Sequence, residues 1–140
     1  MRVDFYIVEQ ALPDSIFQTA AKLIDKAYRQ KLKTWVICGD EATAEKLDDW
    51  LWTFDETSFL PHALASELPV DEQPPIQIGL SLPSSEQDFN ILLNLSEQMP
   101  EAYTQFQRVL EVVPANKKEA ARIRYKTYRD NECDLHRHVV

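Results

Sequence analysis

The sequence predicts one α/β domain in which helices pack on the faces of a mainly parallel sheet. The chain has 140 residues, a common size for a single domain, and no stretch of linker composition divides it. Its first half twice alternates a strand pattern with a helix pattern, an order that favours parallel strands joined by right-handed crossovers. Hydrophobic residues make up 44% and charged residues 27%, which excludes wholesale disorder.

The first four elements follow from the spacing of apolar residues. Residues 3–8 form a run of β-branched and aromatic side chains that predicts a buried strand. Between residues 14 and about 30, apolar residues recur every three or four positions, which predicts an amphipathic helix. Residues 34–38 predict a second strand, and Asp40 is placed to cap a helix that runs to about residue 54.

The second half of the chain contains more turns. Four of the eight prolines lie between residues 55 and 75, so this stretch is predicted to be mostly loop. Strands are predicted over 76–80, 89–95 and 109–113, with a short helix over 100–106. Asn116 is placed to cap a last helix that ends near residue 130. Residues 131–140 show no clear period, and we expect a mobile or surface tail there.

The composition excludes several classes of protein. Gly39 and Gly79 are the only glycines, so no nucleotide-binding glycine loop of the dinucleotide or P-loop type fits this sequence. Two cysteines make no disulfide framework, and we expect a reducing cytoplasm. The longest apolar runs have four residues, so we expect neither a membrane segment nor a secretory signal.

Charge is distributed unevenly along the chain. The net charge is −8, yet residues 117–129 hold six basic residues and one acidic residue, a local charge of +5. The other 127 residues therefore carry −13, which opposes broad, non-specific binding to DNA.

Four of these basic residues fall on one stripe of the last helix. Lys118, Arg122, Lys126 and Arg129 follow steps of four, four and three, and Tyr125 borders the stripe. One interpretation is a solvated helix face. The other is an anion site, for an acidic peptide with its terminal carboxylate or for a phosphate backbone. The acidity of the whole chain favours a short acidic ligand over long DNA.

A second candidate surface lies on the helix over 41–54. Leu47, Trp50 and Leu51 share the face that should pack on the sheet, and Trp52 lies about 140° from Leu47. Either the loop over 55–75 folds back and covers Trp52, or Trp52 and Phe59 form an exposed aromatic anchor for a partner.

The remaining reactive residues do not form a recognisable catalytic or metal site. Cys133, His136 and His138 have no apparent fourth ligand, so we expect no metal site. Ser58 and His62 have no evident orienting acid or oxyanion hole. Asp48 and Asp49 are adjacent on a helix and point about 100° apart, which does not suit an acid–base dyad. No feature requires catalysis or a cofactor.

Several blocks of sequence resemble one known family. They are Val3-Asp4-Phe5-Tyr6-Ile7, Leu47-Asp48-Asp49-Trp50-Leu51-Trp52, Ser58-Phe59-Leu60-Pro61-His62, Val112-Val113-Pro114 and Ala121-Arg122-Ile123-Arg124-Tyr125-Lys126-Thr127-Tyr128-Arg129. Together they resemble the chi subunit of bacterial DNA polymerase III, in order and over nearly the whole chain. The resemblance implies one chi-type domain over 1–140, with a three-layer, Rossmann-like core and no nucleotide site.

The resemblance also implies partners and site residues. The family binds the acidic C-terminal tail of the single-stranded-DNA-binding protein, and the psi subunit, which tethers it to the clamp loader. The tail-binding residues match Val113, Lys118, Arg122, Tyr125, Lys126 and Arg129. The aromatic surface used by psi, or by a helicase that competes for the same place, matches Trp52 and Phe59.

Two hypotheses of function therefore stand. The first is a non-catalytic replisome adaptor, cytoplasmic and associated with the nucleoid through the replisome. It would have no sequence-specific DNA binding of its own and no membrane partner. The second is a small cytosolic α/β enzyme, such as a hydrolase, with an anionic substrate at the basic helix. Salt-sensitive binding of a peptide with acidic residues and a Pro-Phe end favours the adaptor.

Overall fold

The computed structural model describes residues 1–10, 12, 14–53, 60–68, 74–84 and 88–140. Its elements in chain order are β1 (Arg2–Val8), α1 (Ser15–Arg29), β2 (Thr34–Ile37), α2 (Glu41–Thr53), β3 (His62–Leu64), β4 (Ile76–Gly79), β5 (Ile91–Asn94), β6 (Arg108–Pro114), α3 (Lys118–Asp130) and β7 (Asp134–Val139). The strands form one sheet in the order β3-β4-β2-β5-β6-β1-β7. Every neighbouring pair is parallel. The predicted α/β class with a mainly parallel sheet is confirmed.

Each face of the sheet carries its own core, and this gives the fold three layers. α1 and α2 cover one face, where Ile24 packs in the same cluster as Val36. α3 covers the other face, where the rings of Phe5 and Tyr128 meet edge to face with their centroids 5.9 Å apart. The two cores stay separate because successive side chains of a strand point to opposite faces of the sheet.

The first two helices form as the sequence predicts. The buried residues of α1 follow its apolar stripe. The side chain of Asp40 caps α2, since the backbone N–H of Thr43 donates to Asp40 Oδ1 over 2.8 Å. Leu47 and Leu51 are buried on the sheet, and Trp50 is half-buried against the same core.

Three local predictions differ from the structure. The proline-rich stretch contains the short edge strand β3, which needs only one partner and pairs with β4. In place of the helix over 100–106 there is a single 3-10 turn, Tyr103–Gln105, since so short a segment rarely sustains an α-helix. Asn116 lies inside a 3-10 turn, Ala115–Lys117, and no side chain caps α3, so the predicted cap is wrong.

The stretch expected to be a tail contains β7, which pairs with β1 from Arg2 to Ile7. Glu132, at φ 62°, turns the chain back after α3, and the Cys133 N–H donates to the Tyr128 carbonyl over 3.1 Å. β7 is an edge strand whose apolar residues, Leu135 and Val139, are separated by polar and charged ones, so it has no continuous apolar run to reveal it in the sequence. No helix in the described part of the chain is long and apolar enough to cross a membrane.

Candidate functional site

A buried polar network fixes α3 against the sheet. Glu111 of β6 is fully buried, and its carboxylate accepts hydrogen bonds from Arg124 Nε at 3.0 Å and from the Tyr128 hydroxyl at 2.8 Å. The Asn94 side-chain amide, at the end of β5, donates to both carboxylate oxygens. Burial raises the pKa of Glu111, and the positive charge of Arg124 acts against that rise.

This network decides which side of α3 faces outward. Arg124 and Tyr128, one helical turn apart, both point into the protein, and Arg124 Nη1 also donates to the carbonyl of Glu97 over 3.0 Å. Arg122 and Lys126 lie on the other side of the helix and are exposed. The structure therefore separates two arginines that are only two positions apart.

A cleft of about 360 Å³ opens between α3 and the β1–β7 edge of the sheet. Its apolar lining comes from four residues, Phe5, Ile7, Val113 and Ala121. Its other lining residues are Lys118, Arg122, Tyr125 and Arg137. The Tyr125 ring meets the Phe5 ring edge to face, with the centroids 5.3 Å apart. A small apolar cavity beside three cationic side chains suits an anion that also carries an apolar group.

The structure brings together four of the six residues assigned to peptide binding: Val113, Lys118, Arg122 and Tyr125. Lys126 and Arg129 do not line the cleft and are exposed farther along α3. The guanidinium of Arg129 lies 3.8 Å from the Asp130 carboxylate. Lys118 Nζ lies 2.7 Å from the carboxylate of Glu9, so an internal anion already contacts one cation of the cleft.

Arg137 was not among the sequence-predicted site residues. It lies on β7 in register with Phe5 of β1, and so faces the α3 side of the sheet. The alternation of Leu135, Arg137 and Val139 is the sequence signal for that placement, and it is too short to stand out in a charged segment.

The second candidate surface lies on α2. Trp52 is 56% exposed, which favours the interpretation that it belongs to a surface patch. Its ring lies against the buried ring of His62 at a centroid distance of 4.7 Å, and its side chain hydrogen-bonds to Asp48. Phe59, its proposed companion, lies outside the described residues.

These two surfaces lie at opposite ends of the sheet and on opposite faces. Trp52 contacts His62 of β3, which is one edge strand, while the cleft is bounded by β7, which is the other. α2 belongs to the layer of α1, and α3 belongs to the opposite layer. The two surfaces therefore share no described residue, and each can be tested with its own variants.

The side chains of the cysteine–histidine segment contact different partners. His138 Nε2 lies 2.9 Å from the buried carboxylate of Asp4, and its ring stacks on Tyr6. His136 pairs with Asp134, and Cys133 Sγ lies 3.8 Å from the Tyr103 hydroxyl. Within the described ranges, no group of three His, Cys, Asp or Glu side chains is placed to hold a metal ion.

Asp4 is the centre of a second buried charge cluster. Burial alone would raise the pKa of its carboxyl group, but hydrogen bonds from Arg2, His138 and Arg108 lower it to about 2. The cluster ties β6, β1 and β7 together on the face away from the cleft.

Of the Ser58–His62 pair, Ser58 lies outside the described residues, and the His62 ring contacts Asp48 and the Leu60 carbonyl.

A larger cavity, about 590 Å³, lies near the β3–β4 edge. The charged side chains among its described lining residues are Glu41, Glu45 and Glu67. That lining repels an acidic ligand, so the smaller cleft beside α3 is the better candidate for one.

The comparison with protein families shows the family of this chain. The family model described as "DNA polymerase III chi subunit, HolC" matches residues 1–136. The chain belongs to this family. It is thus a chi subunit of DNA polymerase III, an accessory subunit of the replication machinery.

Three relatives carry the same name, DNA polymerase III subunit chi. The Pseudomonas aeruginosa protein is 37% identical over 98% of this chain and 95% of its own length. The Haemophilus influenzae protein is 30% identical over 89% of this chain and 88% of its own. The Escherichia coli protein is 32% identical over 82% of this chain and 79% of its own.

A solved structure shares the fold. Domain 2 of a DEAD-box helicase, determined bound to an RNA duplex, superposes with a TM-score of 0.71. The alignment covers all of the chi-family chain and 64% of the helicase chain, at 9% identity. At that identity the likeness concerns the fold alone.

Proposed function

We propose that this chi-family chain is a non-catalytic adaptor of the replisome. In this proposal the cleft beside α3 binds the acidic C-terminal tail of the single-stranded-DNA-binding protein. The surface around Trp52 binds the psi subunit of the clamp loader, or a repair helicase that competes with psi. The chain needs no cofactor and no DNA sequence recognition of its own, and it acts in the cytoplasm at the nucleoid.

The single observation that carries the proposal is the lining of the cleft. An acidic tail that ends in Pro-Phe presents an apolar ring and a terminal carboxylate side by side. Phe5, Val113 and Ala121 offer an apolar bed for the ring, and Tyr125 lies beside them. Arg122 and Lys118 supply the cations, and a guanidinium can hold a carboxylate through two hydrogen bonds.

The net charge supports a protein tail over DNA. The chain carries −8 overall, and its positive charge is concentrated on α3. A short peptide meets only this local charge, whereas a long nucleic acid also meets the surrounding negative surface. Contact with single-stranded DNA would then pass through the DNA-binding protein.

The test is a calorimetric titration with a peptide that carries the acidic residues and the Pro-Phe end. We expect micromolar binding that weakens as salt is raised. Arg122→Ala and Tyr125→Ala should each weaken it by about 1–3 kcal/mol, roughly 5- to 150-fold in Kd. Arg29→Ala is the matched control, because Arg29 is an exposed arginine on α1, in the opposite layer. If both cleft variants bind the peptide as tightly as the parent, the cleft beside α3 is not the peptide-binding site.

The second surface has its own test. The double variant Trp52→Ala/Phe59→Ala should lose about 2 kcal/mol or more of binding to psi and keep its affinity for the tail peptide. Because Trp52 is 56% exposed, its truncation should lower the melting temperature by a few degrees at most, through loss of its contacts with His62 and Asp48. A stable double variant that keeps psi and loses the tail would show that the two surfaces are interchanged.

The proposed absence of catalysis is tested on the same purified protein. We expect no polymerase, nuclease or nucleotidase turnover and no hydrolysis of simple anionic esters. Turnover that a point mutation in this chain abolishes would instead establish the enzyme hypothesis.

A further inference from the structure

The arginine side chains of this protein differ in whether they form an ion pair with one of its own carboxylates. There are seven arginines, all within the described residues. Arg2 and Arg108 pair with Asp4, Arg29 with Asp25, Arg124 with Glu111, and Arg129 approaches Asp130. Within the described parts of the chain, Arg122 and Arg137 are the only arginines whose side chains form neither an ion pair nor a hydrogen bond.

These two arginines line the same cleft from different elements. Arg122 extends from α3, and Arg137 extends from β7. The apolar residue Phe5 belongs to β1, which pairs with β7, and Val113 belongs to β6, the next strand of the sheet. The cleft thus presents two free guanidinium groups and an apolar lining on elements that the sheet holds in place.

We propose that Arg137 is a second binding residue for the terminal carboxylate of the acidic tail. This inference rests on the proposed tail-binding function and extends it to a residue of β7. The last residue of the tail would place its ring on the apolar lining, and its carboxylate would lie between Arg122 and Arg137. A carboxylate has two oxygens and about four acceptor positions, so it can accept hydrogen bonds from two guanidinium groups at once.

The position of Arg137 limits the cost of this contact. No internal ion pair of Arg137 has to break before a ligand binds, whereas the charge of Lys118 is already shared with Glu9. The strand that carries Arg137 is also held in place. Its backbone pairs with β1, and the neighbouring His138, on the opposite face of β7, contacts the buried carboxylate of Asp4. A cation on a fixed strand loses less conformational freedom on binding than one on a loop.

The test combines three variants with two forms of the peptide. Arg137→Ala should weaken binding of the free-acid peptide by about tenfold, while Arg29→Ala, the matched control, leaves it unchanged. A peptide with an amidated C-terminus should bind the parent weakly, and Arg137→Ala should lower that affinity by less than twofold. Arg137→Lys should recover part of the loss, since it restores the charge without the forked geometry. Melting curves of all variants should superpose on that of the parent, because Arg137 is exposed.

The outcomes separate this inference from the proposed function. If the parent binds the peptide and Arg122→Ala weakens binding but Arg137→Ala does not, Arg137 is not a binding residue and the tail site stands. If Arg137→Ala weakens the amidated and free-acid peptides equally, Arg137 contacts an upstream acid and the carboxylate assignment is refuted. If the parent does not bind the peptide at all, both proposals fail. If a short oligothymidylate binds and depends on Arg137 as strongly, the site is for phosphate instead.

Discussion

Arg122 and Arg124 are the same residue type on one helix, and we predict that their replacement by methionine has opposite consequences. Arg124→Met removes the cation that faces the fully buried Glu111 and also leaves the Glu97 carbonyl without its donor. Removal of one partner of a buried ion pair costs about 3–5 kcal/mol, since the other charge stays buried without compensation. Arg122→Met removes an exposed side chain and should change the unfolding free energy by less than about 0.5 kcal/mol.

These free energies correspond to easily measured shifts in melting temperature. The unfolding entropy is about 2.1 cal/mol/K per residue, so 140 residues give roughly 0.3 kcal/mol/K. Arg124→Met should therefore melt about 10–17 °C below the parent, and Arg122→Met within about 2 °C of it. Tail-peptide binding at a temperature where both variants are folded should show the reverse order, with the greater loss for Arg122→Met.

The assay is differential scanning calorimetry on the parent, the two single variants and the double variant Glu111→Gln/Arg124→Met. The double variant should recover part of the lost stability, because the amide leaves no uncompensated buried charge. Two results would refute the reasoning. One is a melting temperature for Arg124→Met within about 3 °C of the parent. The other is a double variant less stable than Arg124→Met alone.

Three further predictions concern other parts of the molecule. Because the pKa of Asp4 is lowered to about 2, its contribution of about 2 kcal/mol should be present above pH 4 and lost as the pH falls through 2. Urea unfolding at several pH values should therefore show the stability gap between parent and Asp4→Asn closing over that range. Glu9→Gln should release Lys118 and tighten the tail peptide by up to about fivefold at low salt, and unchanged affinity in calorimetry would contradict this. Gly79→Ala should lower stability by about 1–3 kcal/mol in thermal melts, since its added Cβ would lie 2.7 Å from a ring carbon of the buried Trp35; an unshifted melt would contradict this.

The sequence predicted correctly those features that depend on residues close together in the chain. The apolar stripe of α1 and the cap of α2 by Asp40 are local features, and both are confirmed. The spacing on α3 also placed Arg122 and Lys126 on one stripe, and both are exposed, because a regular helix fixes the angle between its side chains.

The parts that the sequence did not predict depend on contacts between distant residues. β7 is stabilised by β1, over 100 residues away, and its alternation of Leu135, Arg137 and Val139 is too short to predict a strand from the sequence. The partners of Asp4, which lie on β1, β6 and β7, and the place of Arg137 in the cleft also depend on contacts between distant segments. Pairings of this kind become visible only when the strand order is known.

The strand order also bears on how the chain folds during synthesis. β1 is made before every other strand, yet both of its neighbours in the sheet, β6 and β7, come from beyond residue 107. The nascent chain must therefore keep a strand with buried side chains on both faces unpaired while the intervening hundred residues are translated. Contacts so distant in sequence also slow folding, because a long loop has to close before they form. Until β6 emerges, the buried side chains of β1 have no partner strand, which is a condition that favours aggregation.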